Sequence, residues 1–307
     1  MIPEISIIIC TYNRFHYLEK CLASLESQIF ERKNFEIILV DAGSTDRTPE
    51  IIKKYSHILP IHLFSAPNTG LSETRNLGIK NSSGDILAFL DDDAIADSGW
   101  LTQIHEIFQK NNRRICACGG KSLLLPEKPL PPWLNIGMLK FLGQLDYGDT
   151  GFIMDSSDKN PVGLNMAFMK STFVRLGLFN TRLGRSKGTL LSNEETEFFR
   201  KMRRNNLKIF YNPKMLVFHH VAGERITKEF IYNRYFWQGR SDAVMDADEK
   251  YSLYGFLRIL FKTFIKPLRL IKIYLFTRFN SKEQKDVVFR CALDYHRGYF
   301  RQICCIT

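Results

Sequence analysis

Five short apolar runs in the first 120 residues constrain the fold more than any other feature of the sequence. The runs are ISIIIC (5–10), FEIILV (35–40), IHLF (61–64), DILAFL (85–90) and ICACGG (115–120). Continuous apolar runs of this length are typical of strands that are buried on both faces. Between them, apolar residues recur at helical spacing, as at Leu18, Cys21, Leu22 and Leu25. Strands that alternate with helices predict an α/β fold with a doubly wound, mostly parallel sheet flanked by helices.

Polar clusters follow three of the predicted strands. TYNR (11–14) follows the first strand, DAGSTD (41–46) the second and DDD (91–93) the fourth. Open α/β sheets bind ligands at the carboxyl ends of their strands, so we expect the three clusters to share one crevice. Adjacent carboxylates raise each other's pKa, and the three aspartates therefore predict a bound cation. The alternative is that they cap the helix at Trp100, although Asp97–Ser98 lies closer to that helix.

Composition narrows the class of protein. The chain has 307 residues, of which 45% are hydrophobic and 24% are charged, as in an ordinary folded protein. The opening MIPE leads directly into the first apolar run, so we expect no signal peptide. The sequence contains no run of 18 uncharged apolar residues, so we expect no membrane-spanning helix. The seven cysteines show no zinc-site spacing, which favours reduced thiols and a cytoplasmic location.

The net charge of +11 is concentrated towards the C-terminus, where residues 226–307 hold 15 Lys and Arg against 8 Asp and Glu. Five cations recur there at helical spacing among Leu, Ile and Phe: Arg258, Lys262, Lys266, Arg269 and Lys272. This pattern predicts a basic amphipathic helix at an anionic membrane surface, and hence a peripheral protein at the cytoplasmic face. The alternative is a helix that packs on the rest of the fold. We expect no nucleic-acid binding, because no aromatic residues are interleaved with the cations as a stacking platform.

Six segments occur in the order in which similar segments occur in the inverting glycosyltransferases of family 2. They are TYNR, VDAGSTDRT, NTGLSETRNLGI, FLDDDA, GLNMAF and NEETEF, and the resemblance covers roughly residues 1–240. It implies the Rossmann-like GT-A fold and a nucleotide-sugar donor, with a UDP-sugar favoured and a GDP- or dTDP-sugar as alternatives. It also implies a catalytic domain (1–225), made of a donor half (1–120) and an acceptor half (121–225), before a basic helical extension (226–307).

The resemblance gives the three aspartates separate roles. In the family, the first aspartate contacts the donor nucleoside and the third binds a divalent cation on the diphosphate. These roles fall on Asp91 and Asp93, with Asp92 counted among the donor-binding residues, and the implied cation is Mn²⁺ or Mg²⁺. His219, near the end of the predicted strand LVFHHV, would complete the metal shell. His220 is the alternative, and only one of the two can face the site because adjacent strand residues point to opposite faces.

Further residues are implied for the donor pocket. The first four are Thr11, Tyr12, Asn13 and Arg14. Asp41 would accept a hydrogen bond from the base, or else act only as a turn former. Ala42 follows it where many relatives have a second acid, so the identity of the base stays open. Arg75, on a helix that we expect Ser72 to cap, would approach the nucleotide, or else be an ordinary surface arginine.

The carboxylates of NEETEF supply the candidate general base. An inverting transfer needs one carboxylate that takes the proton of the acceptor hydroxyl. The Glu-Asp pattern of the family falls on Glu194 and Glu195, so we expect Glu195 to be the base, with Glu194 as the alternative. Acids in the first turn of a helix would look the same. Gly163 and Asn165 are acceptor-side candidates, and residues 180–193 are predicted to be a mobile flap or a plain surface loop.

The sequence thus predicts a metal-dependent, inverting, non-processive glycosyltransferase. Its expected acceptor is a saccharide or a lipid-linked glycan, in cell-surface polysaccharide biosynthesis. Two alternatives remain at this point: a catalytically inactive binding or scaffold protein with the same fold, and a sugar-phosphate nucleotidyltransferase. The second would need a Gly-rich basic loop after the first strand, and TYNRF is not such a loop.

Overall fold

The computed structural model describes residues 2–67, 70–110, 114–248 and 281–306, together with Ile259, Phe261 and Phe279. The strands in this part of the chain are β1 (Ile5–Thr11), β2 (Phe35–Asp41), β3 (Ile61–Ser65), β4 (Ile86–Leu90), β5 (Ala94–Ala96), β6 (Ile115–Pro126), β7 (Phe152–Ile153), β8 (Asn165–Met169) and β9 (Lys208–Val221). The helices are α1 (Phe15–Glu26), α2 (Thr48–Ser56), α3 (Leu71–Asn81), α4 (Trp100–Lys110), α5 (Ile136–Leu139), α6 (Lys170–Leu176), α7 (Glu194–Arg204), α8 (Lys228–Ala247) and α9 (Lys282–Ile306).

One sheet joins the strands in the order β3-β2-β1-β4-β8-β6-β9-β5, and β7 pairs with β9. The α/β class and the five strands predicted in the first 120 residues are confirmed. The prediction of a mostly parallel sheet holds only for β1 to β4. β8 runs antiparallel to β4 and β6, and β9 runs antiparallel to β5 and β7. An apolar run shows that a strand is buried but not which way it runs, so the sequence did not reveal the change of direction.

The inner strands β1, β2 and β4 of the parallel half are covered on both faces, whereas no residue of the edge strand β3 is buried, contrary to the prediction for its apolar run. Every residue of β4 is buried, and so are all residues of β2 except Asp41 at its end. On one face, Ile5, Ile7 and Ile9 pack in a cluster that includes residues of α1, α2 and α4. On the other face, Ile8 packs in a second cluster with residues of α7. Successive side chains of β1 therefore supply both cores, as the continuous apolar run predicts.

The parallel register sets the position of the polar clusters. Thr11 and Asp41 are opposite each other at the carboxyl ends of β1 and β2. β4 is parallel to β1 and ends at Leu90, directly before the three aspartates. The clusters that follow β1, β2 and β4 thus lie at one edge of the sheet, as expected.

The chain divides into two compact units. The first contains residues 1–125, 143–180 and 195–220, and the second contains residues 126–142, 181–194 and 221–307. The predicted domain boundary between residues 225 and 226 stays a prediction.

In the second unit, α8 and α9 pack with their backbones close together. A Cβ at Gly239 would collide with the carbonyl oxygen of Tyr295, and one at Gly298 with that of Phe236. The predicted helical C-terminal segment is therefore confirmed in α9. The five regularly spaced cations of the predicted amphipathic helix lie outside the described residues. No helix in the described part of the chain is long and apolar enough to span a bilayer.

Candidate active site

Arg14 joins two of the three aspartates at the sheet edge. Its Nη1 donates to Asp92 Oδ1 at 3.0 Å and to Asp93 Oδ2 at 2.6 Å. Thr11 Oγ1 donates to the other oxygen of Asp92 at 2.8 Å. Both carboxyl groups are 4% exposed, so they are shielded from water and depend on these partners. In this structure, positive charge beside Asp92 and Asp93 is supplied by the guanidinium group of Arg14.

The electrostatic cost of this arrangement shows at Asp92. Burial raises the pKa of Asp92 to about 7, an effect that Arg14 opposes and Asp93 increases. A carboxyl group with this pKa is close to half protonated at neutral pH when no further cation is present. The edge of the sheet therefore favours additional positive charge.

His219 lies beside Asp93. Strand β9 pairs with β5 so that His219 is opposite Ala94, next to the aspartate triplet. The Nε2 atom of His219 is 3.1 Å from Asp93 Oδ1, and the residue is only 3% exposed. Gly143, with φ 92°, lies against the ring, and a Cβ at this position would be 2.5 Å from Nδ1 of His219. The imidazole is therefore held in place by close packing.

His220 points elsewhere. Its ring lies 5.8 Å from the ring of Tyr17, and its backbone nitrogen donates to the carbonyl oxygen of Asp93 at 2.8 Å. Of the two histidines considered, the structure brings His219 and not His220 to the Asp93 carboxylate. Alternation along a strand accounts for this difference.

Asp93 and His219 form the pair of side chains that could bind a divalent cation. No group of three or more His, Cys, Asp or Glu side chains in the described residues is arranged to hold a metal ion. A cation here would need further oxygen ligands, which a diphosphate and water can supply. Carboxylate oxygen suits both Mg²⁺ and Mn²⁺, whereas imidazole nitrogen suits transition metals, so the mixed pair favours Mn²⁺. The donor set fits a cation site whose remaining ligands would come from a bound phosphate-containing molecule and water.

Arg75 links the first aspartate to the acceptor-side segment. Its Nη2 donates to Asp91 Oδ1 at 2.9 Å and to the carbonyl oxygen of Gly163 at 3.1 Å. Arg75 is 2% exposed, so it is not the surface arginine of the alternative interpretation. The prediction that Ser72 caps this helix is wrong. The cap is Gly70, and Ser72 is buried inside the first turn, because the helix begins two residues earlier than the Ser signal suggested.

Asn13 ties the loop after β1 to the loop after β2. With φ at 52°, its side-chain oxygen accepts from the backbone nitrogens of Thr45 at 2.7 Å and Asp46 at 3.3 Å. Asp41 Oδ1 accepts from both the backbone nitrogen and the hydroxyl of Ser44, which is the turn-forming role. Tyr12 is 43% exposed at the same edge. These contacts shape the loops that a donor base would meet.

Asn165 serves the sheet rather than a ligand in this structure. It is fully buried, and its Oδ1 accepts from Trp100 Nε1 at 2.9 Å. Its Nδ2 donates to the carbonyl oxygens of Lys121 and Met215, each at 2.8 Å. The amide is thus occupied in joining β8 to its neighbours, while the Asn165 backbone lies opposite Leu90, the residue directly before the aspartate cluster. Its acceptor-binding role stays a prediction.

The candidate base lies at the start of α7. Glu194 and Glu195 are its first two residues; Glu194 is 4% exposed and Glu195 is half-buried. The positive end of the helix dipole stabilises carboxylates at this position. Sequence reasoning missed the residue before them, Asn193, which has φ 79° and is buried. Its partners come from α8, more than 40 residues away, and no local signal identifies them.

With this geometry established, comparison with known proteins is informative. The family model described as Glycosyl transferase family 2 matches residues 6–153. The chain is 35% identical over 216 residues to an uncharacterised glycosyltransferase of Haemophilus influenzae, covering 61% of this chain and 85% of that protein. It is 25% identical over 253 residues to the glucosyl-dolichyl phosphate glucuronosyltransferase of Haloferax volcanii, covering 79% of this chain and 77% of that protein.

Similarity in structure extends over the whole chain. The mannosyltransferase PcManGT from Pyrobaculum calidifontis, solved with GDP-Man and Mn²⁺, has a TM-score of 0.65 and 15% identity, with coverage of 99% of this chain and 88% of that chain. Several other relatives match only about a third of this chain and between 15% and 34% of their own length. The class defined by fold and site is that of an α/β sugar transferase with a GT-A-like fold. The chain belongs to glycosyltransferase family 2.

Proposed function

We propose that the protein is an inverting, metal-dependent transferase that moves a sugar from a nucleotide-sugar donor to a saccharide or lipid-linked acceptor. The observation that carries this proposal is the pairing of Asp93 with His219 at 3.1 Å, beside Arg14 and at the sheet edge where Thr11 and Asp41 end their strands. This arrangement supports the proposal, because two metal-ligand types and one guanidinium lie close together and could supply the positive charge that a diphosphate needs.

The donor would bind across the carboxyl edge. The loops held by Asn13 and Asp41 would receive the nucleoside, and Arg75 would keep the Asp91 carboxylate oriented towards it through their 2.9 Å contact. Asp93 and His219 would hold the divalent cation, which neutralises charge on the departing nucleoside diphosphate. Arg14, whose guanidinium contacts Asp93, would add positive charge beside that cation.

Glu195 would act as the general base. Its carboxylate would take the proton of the acceptor hydroxyl while that oxygen forms the new bond to the anomeric carbon. The bond from the anomeric carbon to the diphosphate oxygen breaks in the same step, and configuration inverts because the two oxygens lie on opposite faces of the sugar. Arg14 would offset part of the negative charge that develops on the leaving diphosphate.

The acceptor side of the proposal rests on the relatives and the charge of the tail. One relative is named as acting on a glucosyl-dolichyl phosphate, which supports a lipid-linked acceptor here. The five tail cations support peripheral binding to an anionic membrane surface, for which we propose the cytoplasmic face. A role in surface polysaccharide synthesis is part of the same proposal. Gln at all five positions should reduce sedimentation with anionic vesicles and leave the small binding to neutral vesicles unchanged. Equal sedimentation of both proteins would remove the membrane from the proposal.

Donor binding is the decisive test of the function. Thermal shift and calorimetric titration with UDP-, GDP- and dTDP-sugars, each with Mn²⁺, Mg²⁺ or EDTA, should reveal one nucleotide that binds only with a divalent cation. Release of the corresponding nucleoside diphosphate then measures turnover, with water as the acceptor. A donor that binds equally well in EDTA would contradict the metal dependence, and binding without turnover would favour a scaffold protein.

A further inference from the structure

The segment before the candidate base is hydrogen-bonded to successive turns of one helix. Arg234 Nη1 donates to the carbonyl oxygen of Leu190 at 2.6 Å. Ser241 Oγ accepts from the backbone nitrogen of Ser192 at 2.9 Å. Because Arg234 and Ser241 are seven residues apart on α8, they lie on one face of the helix. All of these residues belong to the second unit, so the network is contained within it.

Asn193 is the centre of this network. Its Nδ2 donates to Asp242 Oδ1 at 2.8 Å, and its Oδ1 accepts from Gln238 Nε2 at 2.9 Å. Gln238 Nε2 also donates to Asp242 Oδ1 at 2.9 Å. Asn193 has φ 79°, a left-handed conformation that non-glycine residues rarely adopt and that Asn tolerates better than most. The side-chain contacts therefore hold a strained backbone conformation directly before Glu194.

A second helix supports Asp242 from behind. Tyr295 Oη, on α9, donates to Asp242 Oδ2 at 2.6 Å. Burial and then the nearby Asp242 carboxylate raise the pKa of Tyr295, so the phenol remains a proton donor at any physiological pH. Contacts with Gln238 on α8 and Tyr295 on α9 therefore orient the two carboxylate oxygens of Asp242. The carboxylate makes charge-assisted hydrogen bonds, which are stronger than neutral ones.

From these contacts we infer that Asp242, acting through Asn193, is a positioning residue for the carboxylates at the start of α7. Asn193 directly precedes Glu194 and Glu195, so its backbone conformation fixes the local course of the main chain into these two residues. The inference depends on the proposed function, since it assigns Asp242 to the positioning of the proposed base. It gives α8 and α9 a role in catalysis that is separate from any membrane contact.

A pair of exchanged substitutions tests the inference in the full-length protein. Asn193→Asp puts a carboxylate against that of Asp242 and removes the donated hydrogen bond, so nucleoside diphosphate release should fall by about tenfold or more. The double variant, which combines Asn193→Asp with Asp242→Asn, again has one amide and one carboxylate, in exchanged positions. It should recover most of the rate of nucleoside diphosphate release. Donor affinity in the presence of Mn²⁺ should change less than threefold in all of these proteins. The rate of amide hydrogen exchange in residues 190–195 should increase in the single variant and return to the wild-type rate in the double variant.

Two controls make the result specific. Asn206→Asp is the same change at another left-handed asparagine, which has φ 57° and is exposed, and it should leave turnover and exchange unchanged. If Asn193→Asp does not fold, Asn193→Gly permits the same φ without the side-chain contacts and should show the same loss in rate.

The inference and the proposed function can fail separately. Unchanged turnover in Asn193→Asp, or no recovery in the double variant, would overturn the inference. If Glu194→Gln and Glu195→Gln both kept full turnover, the proposed base would be wrong, whatever the exchanged pair showed.

Discussion

The two units of the chain each contain a pair of nearby aspartates, but they stabilise them in different ways. Asp92 and Asp93 share the guanidinium of Arg14, and a neighbouring histidine also contacts Asp93. Asp242 and Asp246 instead accept hydrogen bonds from the phenols of Tyr295 and Tyr299, at 2.6 and 3.0 Å. A cationic side chain that is 34% exposed, as that of Arg14 is, can be exchanged for another cation, whereas neutral donors that are part of the packing cannot. The first pair is therefore suited to binding a ligand, and the second to holding the structure.

Asp93→Asn should reveal the largest difference between the two pairs of aspartates. It keeps the size of the side chain but removes the charge that a divalent cation needs, so Mn²⁺-dependent donor binding should weaken by roughly 100-fold or more. Asp242→Asn is the matched change in the second unit and should keep that binding. Isothermal titration of both variants with the donor and Mn²⁺ measures the difference. Similar donor affinities in the two variants would show that both pairs are structural.

Asp93 has to be replaced by Asn and not by Ala, for a reason that the sequence did not reveal. An aspartate that follows the end of a strand can be exposed to solvent, and loss of its side chain would then cost little stability. Asp93 is in fact 4% exposed and ion-paired with Arg14. The Arg14 side chain is 34% exposed, but Asp93→Ala would remove a buried carboxylate that contacts both Arg14 and His219, and it would therefore mix a folding defect with a binding defect.

Glu195→Gln should reduce the rate of nucleoside diphosphate release by roughly 10²-fold while donor affinity stays nearly intact, because a general base acts only in the transition state. Glu194→Gln is the neighbouring control on the same helical turn. A larger loss in the control than in Glu195→Gln would transfer the role of base to Glu194.

His219→Asn should weaken Mn²⁺ binding by about tenfold, since it removes one of two proposed protein ligands but leaves the carboxylate. His220→Asn should change Mn²⁺ affinity little, because that ring lies against Tyr17. Electron paramagnetic resonance of Mn²⁺ in the presence of the donor measures both. An equal effect of the two substitutions would contradict the conclusion that His219, and not His220, faces the Asp93 carboxylate.

The smallest effect concerns pH and stability in EDTA. The pKa of Asp92 is near 3.9 in the unfolded chain and about 7 in the folded protein. Between these values the folded state holds the proton and the unfolded state does not. Asp92 should therefore make the free energy of unfolding decrease as pH rises from 4 to 7, by at most about 1.4 kcal/mol per pH unit. Asp92→Asn should flatten this slope in urea titrations, and an unchanged slope would assign it to other groups.

Local patterns in the sequence predicted the parallel half of the fold well. The apolar runs that became β1, β2 and β4 are buried along nearly their whole length, so composition alone identifies them. The shared edge follows from parallel register, since Thr11 and Asp41 end neighbouring strands. The antiparallel half was not predictable in this way, because the pairing of β4 with β8 joins segments about 80 residues apart that carry no directional signal.

The features of the candidate site that the sequence could not predict have the same physical origin. The proximity of Asp93 and His219 was expected only through the family resemblance, and it depends on the long-range pairing of β5 with β9. The role of Asn165 in joining strands could not be read from its neighbours, since Trp100, Lys121 and Met215 come from three other elements. Contacts between residues distant in sequence decide which polar groups face a ligand and which face the core.

The most direct test of a cation site at the sheet edge is anomalous diffraction from crystals grown with Mn²⁺ and the nucleotide sugar that binds. We predict one Mn²⁺ peak at ligand distance from a carboxylate oxygen of Asp93 and from Nε2 of His219, with diphosphate oxygens completing its shell and Arg14 released from Asp93. A bound donor with no Mn²⁺ peak at Asp93, and with the Arg14–Asp93 ion pair intact, would contradict the account.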